Sequence, residues 1–160
     1  MDVNIIDNKV LELLKQNKGI IAFGYIGKGD YPIAEPKFVV DIDLSSNTLS
    51  FFESKQEVAD YMKNSKSVSV SLFDWSGKVF DGYQLKGIVE VFPKGSKVFN
   101  EILERYNSRS LKPEFLNEFL ALMEESKIIP TKNFIIQIKF NIKYSQAPSP
   151  ESAKPIVVLR

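Results

Sequence analysis

The chain of 160 residues contains no cysteine and no histidine. Without cysteine there is no disulfide framework, no thiolate nucleophile and no Cys-ligated metal. Without histidine the commonest general base and the commonest imidazole ligand are both missing. That excludes a Ser-His-Asp hydrolase, a His-ligated zinc enzyme and a His-ligated haem protein. Chemistry in such a chain falls to a bound cofactor. An excess of one charge is lacking too: 21 Lys and Arg against 20 Asp and Glu leave a net charge of +1. No bulk electrostatic case for nucleic acid follows from that. There is no apolar run of membrane-spanning length. The start, Asp2-Val3-Asn4, shows no basic region followed by an apolar one. The expectation is a cytoplasmic protein with neither nucleic acid nor membrane as partner.

What is present reads as one domain with a substantial core. Residues 4–17 have a helical period, with Ile6, Val10, Leu13 and Leu14 on one face and Lys9, Glu12, Lys15 and Gln16 on the other. Gly19 is a natural stop. A strand at 20–26 runs into Gly27-Lys28-Gly29-Asp30. These glycines lead to another strand rather than a helix, so they mark a hairpin and not a phosphate loop. Further strands are read at 33–42, 48–53, 67–73, 79–92 and 133–144, and further helices at 55–64, 96–106 and 113–126. In the strand at 67–73, Val68, Val70 and Leu72 alternate with serines, the mark of one buried face. Gly82 and Gly87 inside a strand suggest bulges, or places where a ligand or another backbone comes close.

Six strands with short early turns predict a mainly β, α+β fold: a small six-stranded antiparallel barrel with flanking helices. The expected division is a barrel domain over 1–144 and an extended tail over 145–160. The tail ends in Ile156-Val157-Val158-Leu159, too apolar for a solvated end, and is expected to dock on the barrel or on a partner subunit.

The stretch PIAEPKFVVDIDLSSNTLSFFESKQEVADYM, residues 32–62, organises the rest. It holds two strand patterns and then a helix that starts just after Ser54. A strand ending at Ser before a helix is a natural anion seat, because free amides and the helix dipole both favour negative charge there. Ser54 and Glu57 also fit a capping box, in which each side chain bonds the other's backbone amide. Lys37 lies in an otherwise apolar run and needs a partner: a carboxylate, water, or a bound phosphate or flavin. It can equally be an edge-strand lysine that guards against aggregation.

This stretch, followed by VSVSLFDW and then DGYQLKGIVEVF, resembles the pyridoxamine 5'-phosphate oxidase-like family of FMN-binding split β-barrels. The resemblance runs from Val10 to the tail at 144–154. It implies a split barrel and a homodimer with the flavin site at the subunit interface. It also implies an FMN-dependent oxidoreductase acting on a small-molecule substrate or electron donor. Ser54 and neighbouring amides, with Lys55, would hold the FMN phosphate. Glu35, Pro36, Lys37 and Phe38 would lie alongside the flavin, and Gln84 would bond the isoalloxazine ring. Trp75 and Tyr144 are possible walls, although core or surface packing is the role favoured for each. Glu57 stands where many members carry Thr or a basic residue, and a carboxylate disfavours phosphate. Three readings stay open: the oxidoreductase, a non-catalytic flavin-binding or electron-carrier module, and a cofactor-free dimeric interaction protein. A deazaflavin in place of FMN is a further alternative.

Overall fold

The computed structural model describes residues 4–64, 67–74, 76, 82–108, 114–125, 132–145 and 154–159, and of residues 115, 116, 119, 122 and 123 only the backbone. Trp75, Pro113 and the side chains of Phe115, Leu116, Phe119 and Met123 therefore lie outside the described residues. So does the start of the strand read at 79–92.

Helix α1 spans Asn8–Gln16, with Asp7 at its N-cap accepting a hydrogen bond from the Val10 amide. It starts later than its apolar pattern because Ile5 and Ile6 precede the cap. Both are buried, and both their amides donate to Asn47 Oδ1. Strands β1 (Ile20–Ile26) and β2 (Pro32–Phe38) form the expected hairpin, closed by the Gly27 amide on the Tyr31 carbonyl. β3 (Asp41–Asp43) and β4 (Thr48–Glu53) form a second hairpin, and α2 (Gln56–Asn64) follows. After β5 (Val68–Phe73) and β6 (Gly82–Pro93) come α3 (Lys97–Asn107), α4 (Glu114–Glu125), β7 (Phe134–Ser145) and β8 (Pro155–Val158).

The sheet is antiparallel throughout, with the path β2-β1-β5-β6-β7-β4-β3 and β8 added beside β7. It curls into a split barrel, so the expected architecture stands, with seven strands on the path instead of six. The apolar run at 33–42 is two strands and not one. Val39 and Val40 carry the chain from one end of the path to the other: the Val39 amide bonds the Gly19 carbonyl and the Val40 amide bonds that of Ser50. Both are buried, so their apolar character says core without saying strand.

Inward-facing residues fill the barrel, among them Phe23, Phe51, Val70, Leu85, Ile138 and Phe140. β4 is buried on both faces, because α3 covers its outer side. There Phe52 packs with Phe99, Ile102 and Ile135 in a second core. Arg105 fixes α3 to β3 through a two-bond fork to Asp41, at 3.1 and 2.8 Å. Gly82 and Gly87 answer to neighbouring backbone. A Cβ on Gly87 would meet the Lys139 carbonyl oxygen at 2.3 Å, beside the register shift between Lys86 and Gly87. The described end of the tail, residues 155–159, docks on its own chain, with Val157 opposite Lys143 and Leu159 packed on the core, while Ile156 and Val158 stay exposed.

Candidate functional site

The strand β2 sorts the predicted residues by face, because successive side chains point to opposite sides of a sheet. Glu35 and Lys37 turn inward, while Ala34 and Pro36 turn outward. Neighbours in sequence therefore belong to two different places.

The inward place is an ionic cluster. Lys37 Nζ lies 2.6 Å from Glu53 Oε2 and 3.0 Å from Glu35 Oε2. Glu53 is the last residue of β4. It shares the inward face with Leu49 and Phe51, and its side chain is only 3% exposed. Its other oxygen, Oε1, accepts from the amides of Ser54 at 2.9 Å and Lys55 at 3.0 Å. The Tyr25 hydroxyl donates to Glu35 Oε1 at 3.3 Å. Burial, followed by the charges of Glu35, Glu53 and Glu57, pushes the Tyr25 phenol up to about 12. Burial pulls the Lys37 ammonium down, but its bonds to Glu53 and Glu35 outweigh that and hold it above its ordinary value. Burial likewise pushes Glu35 up, and Lys37 followed by Lys55 more than offsets it, leaving Glu35 below the usual carboxylate range.

Ser54, Lys55 and Glu57 lie at the exposed turn over this cluster. The capping box is not the arrangement found. Glu57 accepts from the Tyr61 hydroxyl at 3.3 Å, and the oxygen at the turn is that of Glu53. The sequence reading missed Glu53 because the local Ser-Lys-Gln-Glu pattern sufficed by itself. The inward parity of Leu49, Phe51 and Glu53 was the available signal.

The outward place is a platform. Strand registers put Pro36, Ala22, Ser71, Gln84 and Tyr144 on one row across β2, β1, β5, β6 and β7. The next row runs Ala34, Gly24, Ser69, Lys86 and Ile142. Small side chains make the floor, which opens into a groove of about 550 Å³ that Gln84 and Lys86 line. A second hollow of about 270 Å³, lined by Pro36, continues from it over Ala22, Ala34 and Ser71. Lys86 Nζ sits 4.9 Å from the centre of the Tyr144 ring. The serines that alternate in β5 mark one buried face and equally supply small side chains to the face outside. Phe38 belongs to neither place, since it packs with Leu120 of α4 and Tyr106.

The platform fits a planar ring: a flat floor, one amide at Gln84 able to donate and accept, and one cation at Lys86. The turn before α2 does not fit a phosphate, because Glu53 already takes the amides of Ser54 and Lys55 and the ammonium of Lys37. Among the described residues no group of acidic side chains is arranged to hold a metal ion, and no helix is long and apolar enough to cross a membrane.

The arrangement is that of a split-barrel protein, and solved structures share it at low identity. A protein from Clostridium acetobutylicum, related to general stress protein 26 of B. subtilis and of the pyridoxinephosphate oxidase family, is 13% identical. The match covers 88% of this chain and 87% of that one, with a TM-score of 0.61. A pyridoxamine 5'-phosphate oxidase-related, FMN binding protein from Nostoc punctiforme matches over 90% of this chain and 84% of its own, at 10% identity and a TM-score of 0.59. A FAD-binding protein from Mesorhizobium loti matches over 86% and 88%, at 15% identity and a TM-score of 0.57. No family model matches the sequence, and no curated protein is significantly similar to it. The chain thus has the fold of pyridoxamine 5'-phosphate oxidase-like flavin-binding proteins.

Proposed function

We propose that the chain binds a flavin-type ring on the outer platform and works as a flavin-dependent oxidoreductase. The observation that carries this reading is the row that joins Pro36 to Gln84 through Ala22 and Ser71. Two residues 48 positions apart in sequence thereby share one row of the platform, Gln84 at the larger groove and Pro36 at the hollow that continues from it. The fold likeness to FMN- and FAD-binding proteins supports it. In this reading Gln84 bonds the ring's polar edge, Lys86 offsets negative charge on it, and Ala22, Gly24, Ser69 and Ser71 allow its face to come close. The bound ring would supply the electron chemistry that a chain without Cys and His does not.

The working form would be a cytoplasmic homodimer. Ile20, Ile26, Phe73 and Ile88 are exposed on the outward face of β1, β5 and β6, around the small floor. A second copy laid on this face would cover them and wall the ring in. A small-molecule substrate or electron donor would reach the ring's remaining edge.

The second reading is a dimeric interaction protein without cofactor, which the placement of Glu53 at the α2 turn favours. The visible absorption spectrum of the purified protein, followed by titration with riboflavin by fluorescence quenching, separates the two. The flavin reading expects saturable quenching, and a roughly three- to tenfold weaker affinity in Gln84→Ala for one lost hydrogen bond. No quenching at all favours the interaction protein. Bleaching of the bound flavin by NADH or NADPH distinguishes an oxidoreductase from a carrier.

A further inference from the structure

We propose that Glu53 is a built-in anion that closes the strand-to-helix turn to phosphate, so the barrel recognises its ligand by the ring and not by a terminal phosphate. The half about the ring rests on the flavin reading above; the half about phosphate rests on the turn alone.

A strand that ends at a helix start offers amides to an anion. Here both oxygens of Glu53 are engaged. Oε1 takes the Ser54 and Lys55 amides, and Oε2 takes Lys37 at 2.6 Å. The carboxylate thus uses the same donors that a bound phosphate would use. An arriving phosphate would have to displace it from two amides and take its cation, stranding a carboxylate that is 3% exposed. An unpaired buried charge is strongly disfavoured. The surroundings add to this. Glu35, Glu53 and Glu57 carry three negative charges against two positive charges on Lys37 and Lys55, an excess of one negative charge where a dianion would have to sit. The platform lies on the other face of β2 and keeps its own polar groups, Gln84 and Lys86. Ring recognition and phosphate exclusion are therefore compatible in one molecule.

The test titrates riboflavin and FMN side by side into the full chain and follows the backbone amide signals of Ser54 and Lys55 by NMR. The expected result is that the two affinities agree within about threefold, a difference worth less than one factor of ten, and that neither ligand moves those two amides. FMN binding tighter than riboflavin by about tenfold or more, or FMN alone shifting the two amides, overturns the proposal. Should neither flavin bind, the ring reading fails and inorganic phosphate at constant ionic strength judges the turn. Unmoved Ser54 and Lys55 amides then uphold the exclusion, and saturable shifts overturn it. Glu53→Ser removes the internal anion and is expected to raise the preference for FMN over riboflavin by about tenfold. An unchanged preference in the folded variant overturns the proposal. The wild-type titrations need no substitution and decide the matter if Glu53→Ser does not fold.

Discussion

Lys37 Nζ and Glu53 Oε2, 2.6 Å apart, join strands at opposite ends of the sheet path. β2 is the first strand of that path and β4 the last but one, with no ladder between them among the described residues. On the β2 side only Phe38 separates Lys37 from the Val39-Val40 crossing. Losing one partner leaves the other charge half-buried or buried. Lys37→Met is expected to destabilise the fold by about 3 kcal/mol, near the low end for a broken buried pair. The low end applies because the Ser54 and Lys55 amides still hold Glu53. Joining it with Glu53→Leu should recover most of that loss, since an apolar pair of similar volume is often neutral. Urea unfolding of both single variants and the double variant measures the coupling. Strictly additive losses would mean that the two side chains do not stabilise each other.

Acid should loosen the same region. Glu35 is held below the ordinary carboxylate value, with Lys37 and then Lys55 overcoming its burial. A depressed carboxylate contributes fully at neutral pH and loses that contribution as the pH falls through its folded-state value. Asp7, lowered by Lys143 against its own burial, acts in the same direction. The urea midpoint should therefore drop between about pH 5 and pH 3, and less steeply in Glu35→Gln. Equal slopes for wild type and variant would remove Glu35 from the account.

At the alkaline end the order reverses. Tyr25, pushed up to about 12 by burial and then by three carboxylates, keeps its proton after an ordinary tyrosine has lost it. Its contribution is complete below the ordinary phenol value and is lost as the pH rises through the folded one. Lys37, also raised, adds to the same loss. Tyr61 and Tyr106 are raised as well, each by burial first. Spectrophotometric titration of the phenolate band should show a late component that Tyr25→Phe reduces by one tyrosine, and a late component of unchanged size in the variant would contradict this.

The fork from Arg105 to Asp41 should matter to stability and not to the platform. Asp41 is 6% exposed, so Arg105→Ala strands it, at a cost of about 1–3 kcal/mol for a lost charged hydrogen-bond partner. Arg105→Lys should restore only part of this, because an ammonium lacks the planar fork. Thermal unfolding reads the loss, and riboflavin affinity of the folded variants should stay at the wild-type level. An unchanged midpoint in Arg105→Ala would show that the α3–β3 contact does not depend on this pair.

Much of the barrel was legible because its signals are local. The alternation of Val68, Val70 and Leu72 and the turn at Gly27 to Asp30 both act within a few residues. The break at Val39-Val40 was not legible, since two buried valines look alike in a strand and in a crossing between sheet ends. β8 was not legible either: four residues make a strand only once β7 offers its edge. At the site, Lys37 could be recognised as a cation in need of a partner, with a carboxylate among the candidates. Which carboxylate depended on bringing β2 against β4, a tertiary fact. Ser54 and Glu57 matched a capping box, yet Glu53 reached the amides first, from the strand side. Phe38 adjoins Lys37 in sequence, but it packs with Leu120 and Tyr106 of the helices instead.

The most direct test is a crystal structure of the chain grown with FMN. The account predicts ring density over Ala22 and Ser71 beside Gln84, with Glu53 still bonded to the Ser54 and Lys55 amides and to Lys37. Phosphate density on those two amides, with the Glu53 side chain swung away, would contradict it.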